Sequence, residues 1–160
     1  MTGKSNPKAG KKIEYIRFNG RGFKTLVPTT WLIQATPRHQ AVFISPPRKG
    51  RAGASVSINL WSRPAGMDMK GLRASLADTR KSTFPTAEVL REQETTLDKR
   101  AGYDLLFQYR QPGSKRDVVQ RIIMLLAEGV IVSLAVRRSA EKEPELDKAL
   151  AVIINNFKFR

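Results

Sequence analysis

Cysteine is absent from this 160-residue chain, and histidine occurs once, at His39. The first absence excludes disulfides, thiol nucleophiles and thiolate metal sites, and a lipobox within these 160 residues. The second leaves no two-histidine metal site and no second base from which to build a Ser-His arrangement. No GxGxxG or Walker-type glycine spacing is present, so the familiar phosphate cradles are missing. No apolar run approaches the length that spans a bilayer, and no transmembrane segment is expected. The basic opening MTGKSNPKAGKK has no hydrophobic region behind it and does not read as a signal peptide, which points to a cytoplasmic chain, or to an exported one if a native leader was removed. Acid is scarce where base is plentiful. Residues 1–51 hold eleven Lys and Arg against Glu14 alone, within a chain of 29 cations, 14 acids and net charge +15.

That excess favours phosphate, anionic lipid or an acidic protein surface as partner and leaves the fold open. Length and an ordinary apolar content indicate one domain with a real core. Residues 1–12 read as a flexible basic tail and residues 13–160 as the domain. IEYIRF and GFKTLVP flank the turn signal NGRG and read as a hairpin, with Phe23 and either Leu26 or Val27 facing inward. TTWLIQ then hands Trp31 to the core. Strands follow over Ile33–Pro37 and Ala41–Ser45, and then ASVSINLW, where Ala54, Val56, Ile58 and Leu60 share one face and Trp61 falls on the polar one.

Helical spacing appears in DMKGLRASLADTRKS, with Asp68 as N-cap, an inner face of Met69, Leu72, Leu76 and Thr79, and Pro85 as the barrier to continuation. AGYDLLFQYR returns to a period of two, with Tyr103, Leu105, Phe107 and Tyr109 on one side. DVVQRIIMLLAEGVIVSLAVRRS breaks at Glu128 and Gly129. A two-residue turn there sets Leu126 opposite Ile131, Met124 opposite Ser133 and Ile122 opposite Ala135. Leu125, Ile123, Val132 and Leu134 take the other face, so this ribbon is apolar on both sides and belongs in mid-sheet under covers front and back. A last helix starts near Glu141, with Pro144 in its first turn, acids at its N-terminus and Leu146, Leu150, Ile153 and Phe157 inward. The fold class is therefore α+β, a mostly antiparallel β-sheet covered by helices on both faces.

The stretches GFKTLVPTTW, AGYDLLFQY, GVIVSLAVRRS and IINNFKF, in this order and spacing, resemble the Mog/PsbP-like superfamily over about residues 13–160. Val130 and Ile131 stand where that family commonly has a tyrosine. The resemblance implies a three-layer αβα sandwich and a strand at residues 86–98, where propensity and alternation left helix and strand both open. The superfamily includes a Ran-binding import factor, an extrinsic photosystem II subunit and bacterial DcrB-like proteins, so the resemblance implies a binding protein, not an enzyme. A chain without leader or lipobox looks most like the DcrB-related adaptor and chaperone branch, some of whose members serve secretion systems.

Three functions follow as expectations. The leading one is a non-enzymatic adaptor or chaperone that binds a protein partner through Trp61, Met67 and Met69, an exposed indole beside two adaptable thioethers. The second is an accessory for nucleic acid or an anionic membrane surface, using Lys11, Lys12, Arg21, Arg48, Lys49 and Arg51; the loop ISPPRKGRAG is its centre, although it has no interleaved aromatics for base stacking. The third is an exported PsbP- or lipoprotein-like subunit. No cofactor, metal or catalytic residue is expected: the acids Glu92, Glu94 and Glu141 to Asp147 are explained by a solvated strand and a helix N-terminus.

Overall fold

The structure of the chain, a computed structural model, describes residues 12–35, 40–48, 50 and 52–160. The sequence opens on the expected hairpin, β1 (Tyr15–Asn19) against β2 (Phe23–Pro28), with Tyr15 opposite Pro28 and Asn19 opposite Lys24. Three short or medium strands follow: β3 (Leu32–Gln34), β4 (Ala41–Ile44) and β5 (Ser55–Ser62). Helix α1 (Met69–Thr83) leads to β6 (Glu88–Leu97), β7 (Arg100–Arg110), β8 (Asp117–Ala127) and β9 (Val130–Ser139), and the chain closes with α2 (Pro144–Asn155) and β10 (Lys158–Phe159). Residues 86–98 are thus a strand in the main.

A seven-stranded antiparallel sheet in the order β3-β4-β5-β9-β8-β7-β6 forms the middle layer. The β8–β9 ribbon lies within it, and its register is the expected one: Leu126 faces Ile131, Met124 faces Ser133 and Ile122 faces Ala135. The strands are antiparallel and joined by the tight Glu128–Gly129 turn, with Gly129 at φ 73°, a conformation glycine adopts without steric cost.

One face of this sheet is covered by α2 and by a second, three-stranded sheet, β1-β2-β10. Helices on both faces are as expected, and the separate small sheet beside α2 is an addition, since alternation along the hairpin does not show that it leaves the main sheet. The residues between these layers form the larger core: Phe23, Val27, Phe43, Ile58, Leu125, Leu134, Ile153 and Phe157 are all fully buried. Burying each such side chain is worth about 1.5–3 kcal/mol. Phe23 stacks on Phe157 with ring centroids 5.7 Å apart, and the Thr25 hydroxyl donates to the Ile153 carbonyl at 2.6 Å, which fixes α2 on β2. Trp31 is in this core, as expected, and of the Leu26 and Val27 pair it is Val27 that is buried. Phe157 lies one residue past the α2 C-cap and still fills the interior.

The opposite face carries α1, which packs on β7 over Tyr103, Leu105, Phe107 and Tyr109. The Asp68 carboxylate accepts from the Gly71 N–H at 2.8 Å and caps the helix, while Phe84 takes the C-cap position ahead of Pro85. Thr79, expected on the inner face, is exposed. The space is filled by Phe84, whose ring centroid lies 4.5 Å from that of Tyr109 and 5.2 Å from that of Phe107. Strand β3 ends at Gln34, short of the expected boundary, and residues 36–39, with His39, lie outside the described residues.

The two covers do not lie back to back. Alternation along the strands puts Val42, Ile44, Ser57 and Trp61 on the α1 side, where β3–β5 run beyond the helix and remain half-exposed or exposed. On the α2 side the uncovered region is at the other end, over β6–β8, where Leu106, Val119 and Arg121 are half-buried. Each face is covered over one half, on opposite diagonals.

Candidate binding surfaces

Strand β5 decides where Trp61 goes. Val56 and Ile58 are drawn into the α2-side core, so the period of two sends Ser55, Ser57, Asn59 and Trp61 to the other face. There Trp61 lies opposite Ile131 of β9 and is 53% exposed. Ser133 and Ala135 continue the β9 row opposite Asn59 and Ser57, and Val42 and Ile44 continue it onto β4. At the sheet edge Leu32, opposite Ile44, is 55% exposed. The row is made mostly of small and apolar side chains and has at its two ends the most exposed of the large apolar groups, Trp61 and Leu32.

The loop after Trp61 is held rigidly. The Arg63 guanidinium donates from Nη1 to the Ala127 carbonyl at 3.0 Å and from Nη2 and Nε to the Met67 carbonyl at 2.8 and 3.2 Å. The Arg63 N–H donates to the Gly129 carbonyl at 3.1 Å, so β5 is tied to the β8–β9 turn. Met67 and Met69 are half-buried and pack on the α1-side core. A Cβ on Gly71 would stand 3.0 Å from the Met67 sulfur, which shows the thioether seated across the first turn of α1. The structure therefore brings Trp61, Met67 and Met69 to one end of the sheet, with Trp61 open and the two methionines at the margin of the core.

The basic residues are distributed differently. Arg48 is exposed and makes an ion pair of 3.5 Å with Glu145 at the start of α2, and it lines a small crevice with Ile13, next to Lys12. Arg21 sits in the β1–β2 turn, at the other end of the hairpin from Lys12. Lys11, Lys49 and Arg51 lie outside the described residues. Among the described cations of that set, Lys12 and Arg48 are brought to one end and Arg21 is not.

No protein-family model and no curated protein sequence matches the chain. Solved structures do. Cyanobacterial PsbP from Synechocystis superposes with a TM-score of 0.66 at 12% identity, over 99% of this chain and 98% of that one. The Ran-binding protein Mog1p of Saccharomyces cerevisiae gives 0.63 at 13% identity, over 91% and 95%. LpqN of Mycobacterium tuberculosis, involved in cell envelope biogenesis, gives 0.63 at 16% identity, over 94% and 93%. This chain has the Mog/PsbP-like fold.

In the Mog/PsbP-like fold the residues that carried the resemblance are core punctuation. Phe23 and Pro28 are buried in β2 and Trp31 closes the turn after it. At Gly102 of β7 the neighbouring strand leaves no room for a side chain: a Cβ there would lie 2.2 Å from the Met124 carbonyl oxygen.

The fold also builds a charged cluster that the sequence reading passed over. Asp104 of β7 points to the α2 side and its side chain is 1% exposed. Arg121 of β8 grips it with both arms of a fork, Nε to Oδ1 at 3.0 Å and Nη2 to Oδ2 at 2.8 Å, and Arg91 of β6 reaches Oδ2 at 3.3 Å. Removing Arg121 would leave the buried Asp104 carboxylate to Arg91 alone, and a buried charge short of partners is costly. The signal was present as an acid and an arginine inside two largely apolar strands. Nearby, Arg138 pairs with Asp147 of α2 and donates to the Ser139 and Glu141 carbonyls at 3.2 and 3.1 Å. Burial lowers the pKa of Arg138, and the negative charge of Glu143 acts against that shift.

Elsewhere, burial raises the pKa of Tyr15. It also raises that of Tyr103, where Glu92 adds to the effect and Arg73 opposes it. Among the described residues, no helix is long and apolar enough to cross a membrane.

Proposed function

We propose that the protein is a non-enzymatic binding protein, an adaptor or chaperone of the DcrB-like kind, which takes a protein partner on the open half of the α1-side face. The observation that carries this reading is the pair of large apolar side chains, Trp61 and Leu32, each more than half exposed on one sheet surface. An apolar segment lying across β3–β5 would cover both, and exposed aromatic anchors of this sort concentrate binding energy. The net charge of +15 makes a segment flanked by acidic residues the fitting occupant. Among the solved structures of this fold, Mog1p is by its description a Ran-binding protein, which is support by fold analogy alone.

The test is an affinity capture from the native host with the wild-type chain and a Trp61→Ala/Leu32→Ser double variant, read by mass spectrometry. Both positions are exposed, so an unchanged melting temperature is expected together with loss of the captured partner by about tenfold or more. A folded double variant that retains every wild-type partner at full yield would refute the reading.

A further inference from the structure

The uncovered half of the α2-side face contains a cavity of about 490 Å³ between α2 and strands β6–β9. That size falls within the range of small-molecule sites, roughly 300–1,000 Å³. Its apolar wall is aliphatic throughout. Leu106 and Val119 come from the sheet, Leu150, Ala151 and Ile154 from α2, and Leu90 from the outer strand; none of the lining side chains is aromatic. Such a wall suits a flexible hydrocarbon chain and offers a planar ring nothing to stack on.

The polar side of the cavity is cationic by a single charge where β6 and β8 line it: Arg91 and Arg121 face it, and Asp104 lies buried behind them, leaving one positive charge in excess there. At the α2 end Arg138 and Lys142 lie among Glu141 and Asp147, and the charge of Glu143 also acts on Arg138. Asp104 takes two of the five N–H donors of Arg121 and one of those of Arg91, so both guanidiniums keep donors, and their side chains remain 31% and 42% exposed. The buried carboxylate acts as a brace: it fixes two guanidiniums side by side before any ligand arrives, so little side-chain freedom is lost on binding.

We infer that this cavity is a binding site for an aliphatic monocarboxylate, with the carboxylate held by Arg91 and Arg121 and the hydrocarbon chain laid between α2 and the sheet. A singly charged head matches the single excess charge, and a charge-assisted contact with an arginine fork recognises a carboxylate where an alcohol would make a weaker bond.

The experiment is calorimetric titration of the full chain with decanoate, below its micellar concentration, and with decanol. One saturable site for decanoate is expected, with decanol weaker by about tenfold or more. Arg121→Gln would strand Asp104 and risk the fold, so Arg91→Gln is the variant of choice, with Lys70→Gln on the exposed side of α1 as the control for net charge. Ala151→Trp, at an exposed position of α2, should fill the cavity and abolish binding, and Leu90→Glu, exposed on β6, should weaken it by placing an anion beside the head. Absence of saturable decanoate binding, equal affinity for decanol, equal losses in Arg91→Gln and Lys70→Gln, or full binding in a folded Ala151→Trp or Leu90→Glu variant would each overturn the assignment.

Discussion

Gly102 shows how much a single hydrogen can decide. An added methyl would meet the Met124 carbonyl oxygen at 2.2 Å and the Leu125 Cδ2 at 2.7 Å, and neither backbone can retreat without breaking the β7–β8 ladder. Gly102→Ala should therefore destabilise the protein by about 3 kcal/mol, seen as a lower urea midpoint with an unchanged slope. Single residues were legible wherever alternation alone settles the face: Tyr103, Leu105, Phe107 and Tyr109 follow from a period of two and a greasy interior. Asp104 was harder. Its partners Arg91 and Arg121 lie on two neighbouring strands, and only the register between those strands brings the three charges together. Thr79 was misplaced for a related reason, because spacing along a helix does not reveal that the ring of the C-cap residue, Phe84, will pack on Phe107 and Tyr109 instead.

At the level of elements, α1 depends on its first turn. The Asp68 carboxylate is the side-chain partner for the Gly71 N–H, and no acid within that turn assists it. Asp68→Ala should cost about 1 kcal/mol, measured by equilibrium denaturation, and Asp68→Ser should recover most of the loss. The β8–β9 hairpin was legible to the residue pair, since a two-residue turn leaves no freedom in register. The small sheet was legible only as far as its β1–β2 hairpin. Strand β10 has two residues, too few for any period, and it pairs with a strand more than a hundred residues earlier, Lys158 against Lys24 and Phe159 against Phe23. Its anchor is equally remote in sequence: the Phe159 N–H donates to the Asp98 carboxylate at 2.7 Å, in the β6–β7 turn. Trp61 on the exposed face of β5 could be read from alternation, whereas the cavity beside α2 could not, because it depends on where the covers stop.

For the molecule as a whole, two tyrosines set an upper limit of pH. Tyr103 lies under α1 and Tyr15 in the small sheet, and in each the folded state holds the phenol above its ordinary pKa of 10.0, mainly through burial. The unfolded chain then ionises first, so the stabilisation from these neutral phenols is complete below pH 10 and declines as pH rises from there through the folded-state values. Urea midpoints measured from neutral to strongly alkaline pH should fall above about pH 10, and a Tyr103→Phe variant should show a shallower decline. Net charge works at the same scale and in a different way: +15 speeds encounter with acidic partners at low salt and leaves the architecture unaffected.

The diagonal placement of α1 and α2 gives the sheet two vacant bays, one toward each side and each toward a different edge. A hydrocarbon guest beside α2 and a protein draped over Trp61 would not compete for room, because the β8–β9 ribbon stands between them as a common wall. The two proposed sites, on opposite faces and toward opposite edges, would let two unlike companions be held at once and brought into each other's company.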